Sequence, residues 1–183
     1  MIIDEKGIDL KSILGSIQKG DMQSYVLILD RFQRPIYLYC YYLLRNQEEA
    51  EDATQETFIK ALEHIKQFNY TASFSAWLYK IARNHCTDLL KKKNREKKIL
   101  DLYQMNKHQE QDYKYTDFIY ECLDKLSSEE RQILLLRIIE EYSYDEIAFI
   151  MDSKSVNIRK KYERIRKKLI QVKKGVNLYE QSY

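Results

Sequence analysis

The sequence has few of the residues that interrupt helices or build tight turns. Among 183 residues there are four glycines and one proline. Antiparallel sandwiches and barrels place glycine and proline in many of their turns, so this composition argues strongly against an all-β fold. No apolar run approaches 18 residues, which argues against a transmembrane span and predicts no membrane insertion. The acidic residues near the first methionine, with no apolar stretch after them, predict that the chain is not exported.

Cysteine and histidine are also scarce, at three residues each. The cysteines are widely spaced, odd in number and form no C-x-x-C pair, which is typical of a protein in the reducing cytoplasm. His85 and Cys86 are adjacent, but neighbouring helical residues point in different directions and cannot by themselves form a metal site. We therefore predict no metal and no cofactor.

Charge is unevenly distributed along the chain, although the net charge is only +3. Segments 44–57 and 101–130 carry −4 and −5, whereas segments 83–100 and 153–174 carry +5 and +9. A single charged block is usually a solvated helix face. Two basic blocks that alternate with acidic ones favour contact with nucleic acid.

Apolar residues recur at helical spacing in two regions, and a polar stretch separates them. The pattern predicts an all-α protein made of two small helical domains joined by a flexible linker. We place the domains at residues 8–92 and 117–174 and the linker at residues 93–116. Within the first domain, the small, hydroxylated and aromatic segment 68–75 predicts a loop.

The second domain has the pattern of a helix-turn-helix. Ser143 and Glu146 have the spacing of a capping box at the start of a short helix, and Asp152-Ser153 makes a brief turn before a third helix. That third helix has one apolar face and one basic face, as a DNA recognition helix has. The candidate DNA-reading residues are Ser155, Asn157, Arg159, Lys160, Lys161 and Arg164.

Both domains resemble a known family. Residues 20–90 resemble the core-binding and promoter-melting domain of bacterial sigma factors of the extracytoplasmic-function class, and the matching text includes EEAEDATQETFIKAL and FNYTASFSAWLYKIARNHCTDLLKK. The stretches LSSEERQILLLR, SYDEIAFIM and SVNIRKKYERIRKKL, within residues 117–170, resemble the promoter-reading helix-turn-helix domain of the same class. The two resembling domains occur along the chain in the same order as in the family.

The resemblance implies two sets of contact residues in the first domain. The segment EDATQETFIKAL would dock on core RNA polymerase through Asp52, Gln55, Glu56 and Ile59. Composition alone favours the simpler interpretation of a solvated acidic face. The loop would capture a flipped base of the minus-ten element, and Asn84 would read another base. The minus-ten candidates are Phe68, Asn69, Tyr70, Thr71, Lys80, Arg83, Asn84 and Thr87, whereas the spacing of Phe74 favours a core residue.

Three departures from the family pattern bear on promoter sequence rather than on fold. Asn69-Tyr70-Thr71 stands where arginine and glycine are common, and Glu141-Tyr142 and Asp152 stand where glycine is common. Asp152 is the mildest departure, because aspartate tolerates left-handed backbone better than most residues.

The function that the resemblance implies is a non-enzymatic transcription initiation factor. It would bind core RNA polymerase and promoter DNA, reading the minus-thirty-five element with the helix-turn-helix and opening the minus-ten element. An anti-sigma factor is a common further partner in this class. The alternatives are an autonomous helix-turn-helix regulator that dimerises on palindromic sites and, more remotely, a nucleic-acid-processing enzyme. The enzyme lacks support because the sequence shows no metal-binding or nucleophile motif.

Overall fold

The computed structural model describes the backbone of residues 10–103 and 122–180 and the side chains of residues 10–96 and 122–171. Within those ranges every regular element is a helix, which confirms the all-α prediction. The chain divides into two compact units, Met1–Leu89 and Leu90–Tyr183. The domain limits given above remain predictions, because residues 104–121 lie outside the described ranges.

In the described part of the N-terminal unit, residues 10–89, four α-helices begin. They are α1 (Leu10–Gln18), α2 (Tyr25–Leu44), α3 (Gln47–His64) and α4 (Phe74–Tyr103), and a 3-10 turn (Ile65–Gln67) follows α3. Pro35 lies inside α2, which continues for nine more residues, so the proline does not end the helix. The predicted loop is confirmed for residues 68–73, and α4 begins at Phe74.

Asn46 caps the N-terminus of α3, as its position predicts. Its side-chain oxygen accepts a hydrogen bond from the backbone N–H of Glu49 at 2.9 Å. The acids Glu48 and Glu49 lie in the first turn, where the positive end of the helix dipole favours them. Local sequence therefore determines where α3 starts.

The core of the N-terminal unit is formed where α3 packs against α2. Ala50, Ala53 and Ala61 of α3 are completely buried, and their small size lets the two helices approach closely. Tyr25 of α2 donates a hydrogen bond from its hydroxyl to the Phe58 carbonyl at 2.6 Å. This contact ties the start of α2 to the second half of α3.

Aromatic side chains join α4 to α2. The rings of Phe32 and Phe74 meet edge to face at 5.7 Å, and those of Tyr39 and Tyr79 do so at 5.2 Å. Burial confirms the expectation that Phe74 is a core residue. Such pairs add about 1 kcal/mol each beyond the apolar area that they bury. They fix the start of α4, and with it the position of the loop that precedes it.

The C-terminal unit contains the three helices of the predicted helix-turn-helix: α5 (Ser128–Ile138), α6 (Tyr144–Ile150) and α7 (Ser155–Glu180). Capping boxes begin the first two helices, with Ser127 paired to Glu130 and Ser143 paired to Glu146. The second box was predicted from the sequence. In the first, Ser127 is the N-cap residue and Ser128 is the first residue of α5.

A core of isoleucine and leucine side chains holds α5, α6 and α7 together. The completely buried members are Ile133, Leu136, Ile147, Ile150, Ile158 and Ile165. Ile158 and Ile165 are two turns apart on α7, so their burial sets the rotation of that helix about its axis. The opposite face of α7 therefore points to solvent.

Both joints of this unit contain a left-handed residue that is not glycine. Glu141, between α5 and α6, has φ 54°, and Asp152, between α6 and α7, has φ 50°. These are the two positions where the family pattern commonly has glycine. Left-handed backbone costs about 1 kcal/mol for most L-residues, so the sequence departs from the pattern at some cost in stability.

Glu141→Gly tests this cost. We expect the variant to raise the free energy of unfolding by roughly 0.5–1 kcal/mol, because glycine adopts positive φ without a Cβ clash, although it adds entropy to the unfolded chain. Thermal denaturation of the full chain, followed by circular dichroism, measures the change. The control is Glu163→Gly in the interior of α7, which should lower stability by about 1 kcal/mol. A lower melting temperature for Glu141→Gly would contradict the strain.

Candidate polymerase and nucleic-acid interfaces

The predicted polymerase-contact residues share the solvent side of α3. Asp52 and Gln55 are exposed, and Glu56 is half-buried and forms an ion pair with Lys60 at 3.2 Å. Ile59 is 52% exposed, so its apolar side chain is accessible from solvent beside these acids.

The buried side of α3 explains why this face is available. Thr54 and Thr57 are buried, and each donates its hydroxyl hydrogen bond within the helix, to the Ala50 and Ala53 carbonyls at 2.6 Å. The polar groups on the inner face are thus satisfied locally. The acidic side chains on the outer face take no part in the core.

The loop between the 3-10 turn and α4 presents three of the predicted minus-ten residues to solvent. Asn69, Tyr70 and Thr71 are exposed. The Asn69 side-chain oxygen accepts hydrogen bonds from the backbone N–H and the hydroxyl of Thr71, at 3.3 and 2.9 Å. Tyr70 has left-handed backbone, with φ 59°, and the residue is 42% exposed.

An aromatic cluster lies behind the exposed ring. Phe68 is buried, and its ring centroid lies 4.8 Å from that of Tyr70 and 5.3 Å from that of the half-buried Trp77. Phe74 completes the cluster at 5.5 Å from Phe68. Among the aromatic minus-ten candidates, Tyr70 is therefore the exposed ring, whereas Phe68 is buried and packs against it.

Helix α1 braces this loop, a role that sequence reasoning missed. The Gln18 side-chain amide donates hydrogen bonds to the carbonyls of Ile65 and Phe68, at 2.9 and 3.2 Å. Lys11 lies over the Tyr70 ring, with its Nζ 6.0 Å from the centroid. No local pattern reveals these contacts, because they join residues about fifty positions apart.

Helix α4 carries the remaining minus-ten candidates. Asn84 is exposed, and Arg83, Lys80 and Thr87 are half-buried. Arg83 donates a hydrogen bond from Nη1 to the Asn84 side-chain oxygen at 2.9 Å, which orients the amide with its nitrogen as a donor. An amide so placed can donate to an acceptor on a base edge.

His85, beside Asn84, belongs to the packing between α3 and α4. Partial burial and the charge of Lys60 lower its pKa, and the ring Nδ1 lies 3.5 Å from the Lys60 Nζ. A neutral imidazole with Nδ1 as acceptor fits this contact. In the part of the chain that the structure describes, no group of three or more His, Cys, Asp or Glu side chains could hold a metal ion.

On α7 most of the predicted DNA-reading residues face solvent. Asn157, Arg159, Lys160 and Arg164 are exposed, and Ser155 is half-buried. Val156 is 62% exposed between Ser155 and Asn157, and we did not predict it as a site residue. Its position off the apolar stripe of α7 was the signal that could have revealed it, since a valine there contributes nothing to the core.

Lys161 has a different environment from the other predicted DNA-reading residues. It forms an ion pair with Glu129, and Lys168 pairs with Glu130 at 2.7 Å, both at the N-terminus of α5. Partial burial raises the pKa of Glu130, but hydrogen bonds from Lys168 and Ser127 outweigh it, so the net pKa is lowered. Both lysines lie outside the core of the unit, and helix α5 supplies the acids that pair with them on this side of α7.

Two family models match the chain in order. Residues 28–96 match Sigma-70 region 2, and residues 119–169 match Sigma-70 region 4. Together the two matches cover about two thirds of the chain.

Two curated relatives are both named ECF RNA polymerase sigma factors. The chain is 40% identical over 84 residues to the ECF RNA polymerase sigma factor SigW of Bacillus subtilis, a match that covers 46% of this chain and 45% of SigW. It is 27% identical over 173 residues to the ECF RNA polymerase sigma-E factor of Haemophilus influenzae, covering 85% of this chain and 90% of that relative. The chain thus spans less than half of the first relative and most of the second.

Solved structures share the fold. The sigma factor RpoE of Bartonella quintana, in complex with the anti-sigma factor NepR, superposes with a TM-score of 0.70 at 23% identity, covering 84% of this chain and 98% of that one. CnrH, in complex with the cytosolic domain of CnrY, gives a TM-score of 0.71 at 19% identity, covering 90% and 97%. The chain belongs to the sigma-70 family, in its extracytoplasmic-function class.

Removing the brace tests whether α1 holds the loop. We expect Gln18→Leu to lower the free energy of unfolding by about 1–2 kcal/mol, because the Ile65 and Phe68 carbonyls lose a donor in a partly buried place. Hydrogen exchange of residues 68–73 should become faster. Urea denaturation of the full chain measures the first effect and mass spectrometry of exchanged peptides the second. Gln33→Leu, at an exposed position of α2, is the control; loop exchange equal in both variants would contradict the brace.

Proposed function

We propose that this protein is a non-catalytic transcription initiation factor that binds core RNA polymerase and directs it to particular promoters. The observation that carries the proposal is the presence, in one chain and in the family's order, of the two sigma-70 regions, each with an exposed face of the chemistry that its role requires. Such a factor acts in the cytoplasm, where the polymerase is.

The exposed face of α3 binds the polymerase in this proposal. Asp52 and Glu56 supply negative charge, and Ile59 supplies an apolar contact that would be buried on binding. Charge complementarity speeds encounter and fixes orientation, whereas desolvation of the isoleucine contributes affinity. A surface with both features suits a specific protein interface better than a merely solvated face does.

The loop and α4 hold the opened minus-ten strand. A base that leaves the duplex loses its stacking partners, and an exposed tyrosine supported by a packed aromatic cluster offers a replacement surface. Asn84 then reads a neighbouring base edge through its oriented amide. The positive charge of Lys80 and Arg83 suits contact with the phosphate backbone.

Helix α7 reads the minus-thirty-five element. Its exposed N-terminal half combines polar side chains with Val156, which can contact a thymine methyl group in the major groove. The exposed basic residues farther along contact phosphates, so promoter affinity should weaken as salt rises. Lys161 and Lys168 contribute less than the others, because acids of α5 already neutralise them.

An anti-sigma factor is a further partner that we propose. Two solved structures with this fold hold their sigma factors in complex with NepR and with the cytosolic domain of CnrY. A protein that covered the exposed face of α3 would block polymerase binding, which is a simple means of inhibition.

Asp52→Asn tests the polymerase interface. We expect affinity of the full chain for core RNA polymerase to fall about three- to tenfold, because the variant removes a charge from the complementary face and preserves shape. Titration with labelled protein measures the dissociation constant.

Asp30→Asn is the matched control, because Asp30 is also an exposed aspartate of the N-terminal unit but lies on α2. Its affinity should stay within about twofold of the unchanged protein. Equal affinities for the two variants would assign the acidic face of α3 to solvent.

Asn84→Ala tests minus-ten recognition. We expect the variant to bind core polymerase normally but to open promoter DNA about tenfold less well, because the base-edge contact is lost. Permanganate reactivity of unpaired thymines measures opening. The control is Asn94→Ala, an exposed asparagine farther along α4. Normal opening by Asn84→Ala would remove Asn84 from the site.

A further inference from the structure

Tyr144 stands at the meeting point of two arginine side chains in the C-terminal unit. The guanidinium carbon of Arg137 lies 5.1 Å from the centre of the Tyr144 ring, and that of Arg159 lies 5.3 Å from it. The Tyr162 ring approaches to 6.0 Å. Both cations are within the range in which an aromatic ring attracts them. One of them, Arg159, belongs to the candidate recognition surface.

The ring is anchored in the scaffold. Tyr144 is the first residue of α6 and directly follows Ser143, whose side chain and backbone are fixed by the capping box with Glu146. Arg137 is anchored as well, because its Nη1 donates to the Tyr142 carbonyl at 2.6 Å. The backbone next to Tyr144 and the Arg137 side chain are therefore both held by hydrogen bonds.

Arg159 differs from Arg137 in the hydrogen bonds that its guanidinium N–H groups make. It lies on the exposed part of α7, one turn after Ser155, and among the described residues its guanidinium makes no hydrogen bond. Its N–H groups are thus available to a ligand while its guanidinium carbon lies over the ring. A long side chain held in this way loses less freedom when it binds.

We propose that Tyr144 is a positioning residue for promoter recognition: its ring holds the Arg159 guanidinium in the orientation in which Arg159 contacts the minus-thirty-five DNA. This inference rests on the proposed function. The inference extends the recognition site from α7 to Tyr144 of the preceding helix, a residue that need not contact DNA itself. The tyrosine hydroxyl plays no part in this role, so phenylalanine should replace tyrosine at position 144 without loss.

A double-mutant cycle tests the proposal with holoenzyme assembled from core polymerase and the full chain. The four proteins are the unchanged protein, Tyr144→Leu, Arg159→Ala and the double variant, and the readout is the affinity for a promoter selected by transcription from a library. We expect Arg159→Ala to weaken binding at least tenfold and Tyr144→Leu to weaken it about three- to fivefold. In the Arg159→Ala background, Tyr144→Leu should have no further effect.

The Arg159→Ala background also distinguishes a positioning role of Tyr144 from a loss of folding caused by Tyr144→Leu. If Tyr144→Leu only destabilised the helix-turn-helix, its cost would be equally large with and without Arg159. Such additivity would overturn the proposal, as would an Arg159→Ala variant that binds normally. Arg164→Ala is the matched control, because Arg164 is an exposed arginine of α7 that should combine additively with Tyr144→Leu.

Rescue by the conservative variant is the second readout. Tyr144→Phe should bind the promoter within about twofold of the unchanged protein, because the cation contacts the ring face. Loss of binding by Tyr144→Phe would overturn the role of the ring. Failure of the proposed function is distinguishable, since then the unchanged protein itself would not direct transcription from any promoter of the library.

Discussion

The close packing of α3 against α2 is the constraint on which the N-terminal unit depends. Three completely buried alanines, Ala50, Ala53 and Ala61, define the inner face of α3, and the aromatic contacts of α2 fix α4 on the same core. Once these helices are fixed, the acidic face of α3 must point to solvent. The loop before α4 is then held between two fixed ends, and its exposed tyrosine rests on rings that are themselves part of the core.

The same logic applies to the C-terminal unit with different side chains. Burial of Ile158 and Ile165 fixes the rotation of α7, and the pairing of Lys161 and Lys168 with acids of α5 adds a second attachment along its side. These contacts divide the basic residues of α7 into two groups. One group stabilises the unit, and the other, with Val156, remains available for DNA.

The sequence predicted the helices, their caps and the exposed faces, because these follow from local spacing and burial. The burial of Phe74 and the capping box at Ser143 are examples. It could not predict contacts between distant residues: the brace from Gln18, the supporting position of Phe68, or the ion pair of Lys161. Periodicity shows that a lysine lies off the apolar stripe of its own helix, but it does not show which acid a neighbouring helix brings beside it. Phe68 and Tyr70 were both predicted to contact the minus-ten DNA, whereas packing leaves Tyr70 exposed and buries Phe68.

The central claim is that the two units act on DNA as parts of a polymerase complex. The most direct measurement is run-off transcription by purified core polymerase, with and without the full chain, on a library of promoter fragments, with association of the two proteins followed by size-exclusion chromatography. We expect the chain to bind the polymerase and to start transcription from a subset of fragments that share two sequence elements. A chain that never associates with the polymerase, however well it binds duplex DNA, would contradict the claim.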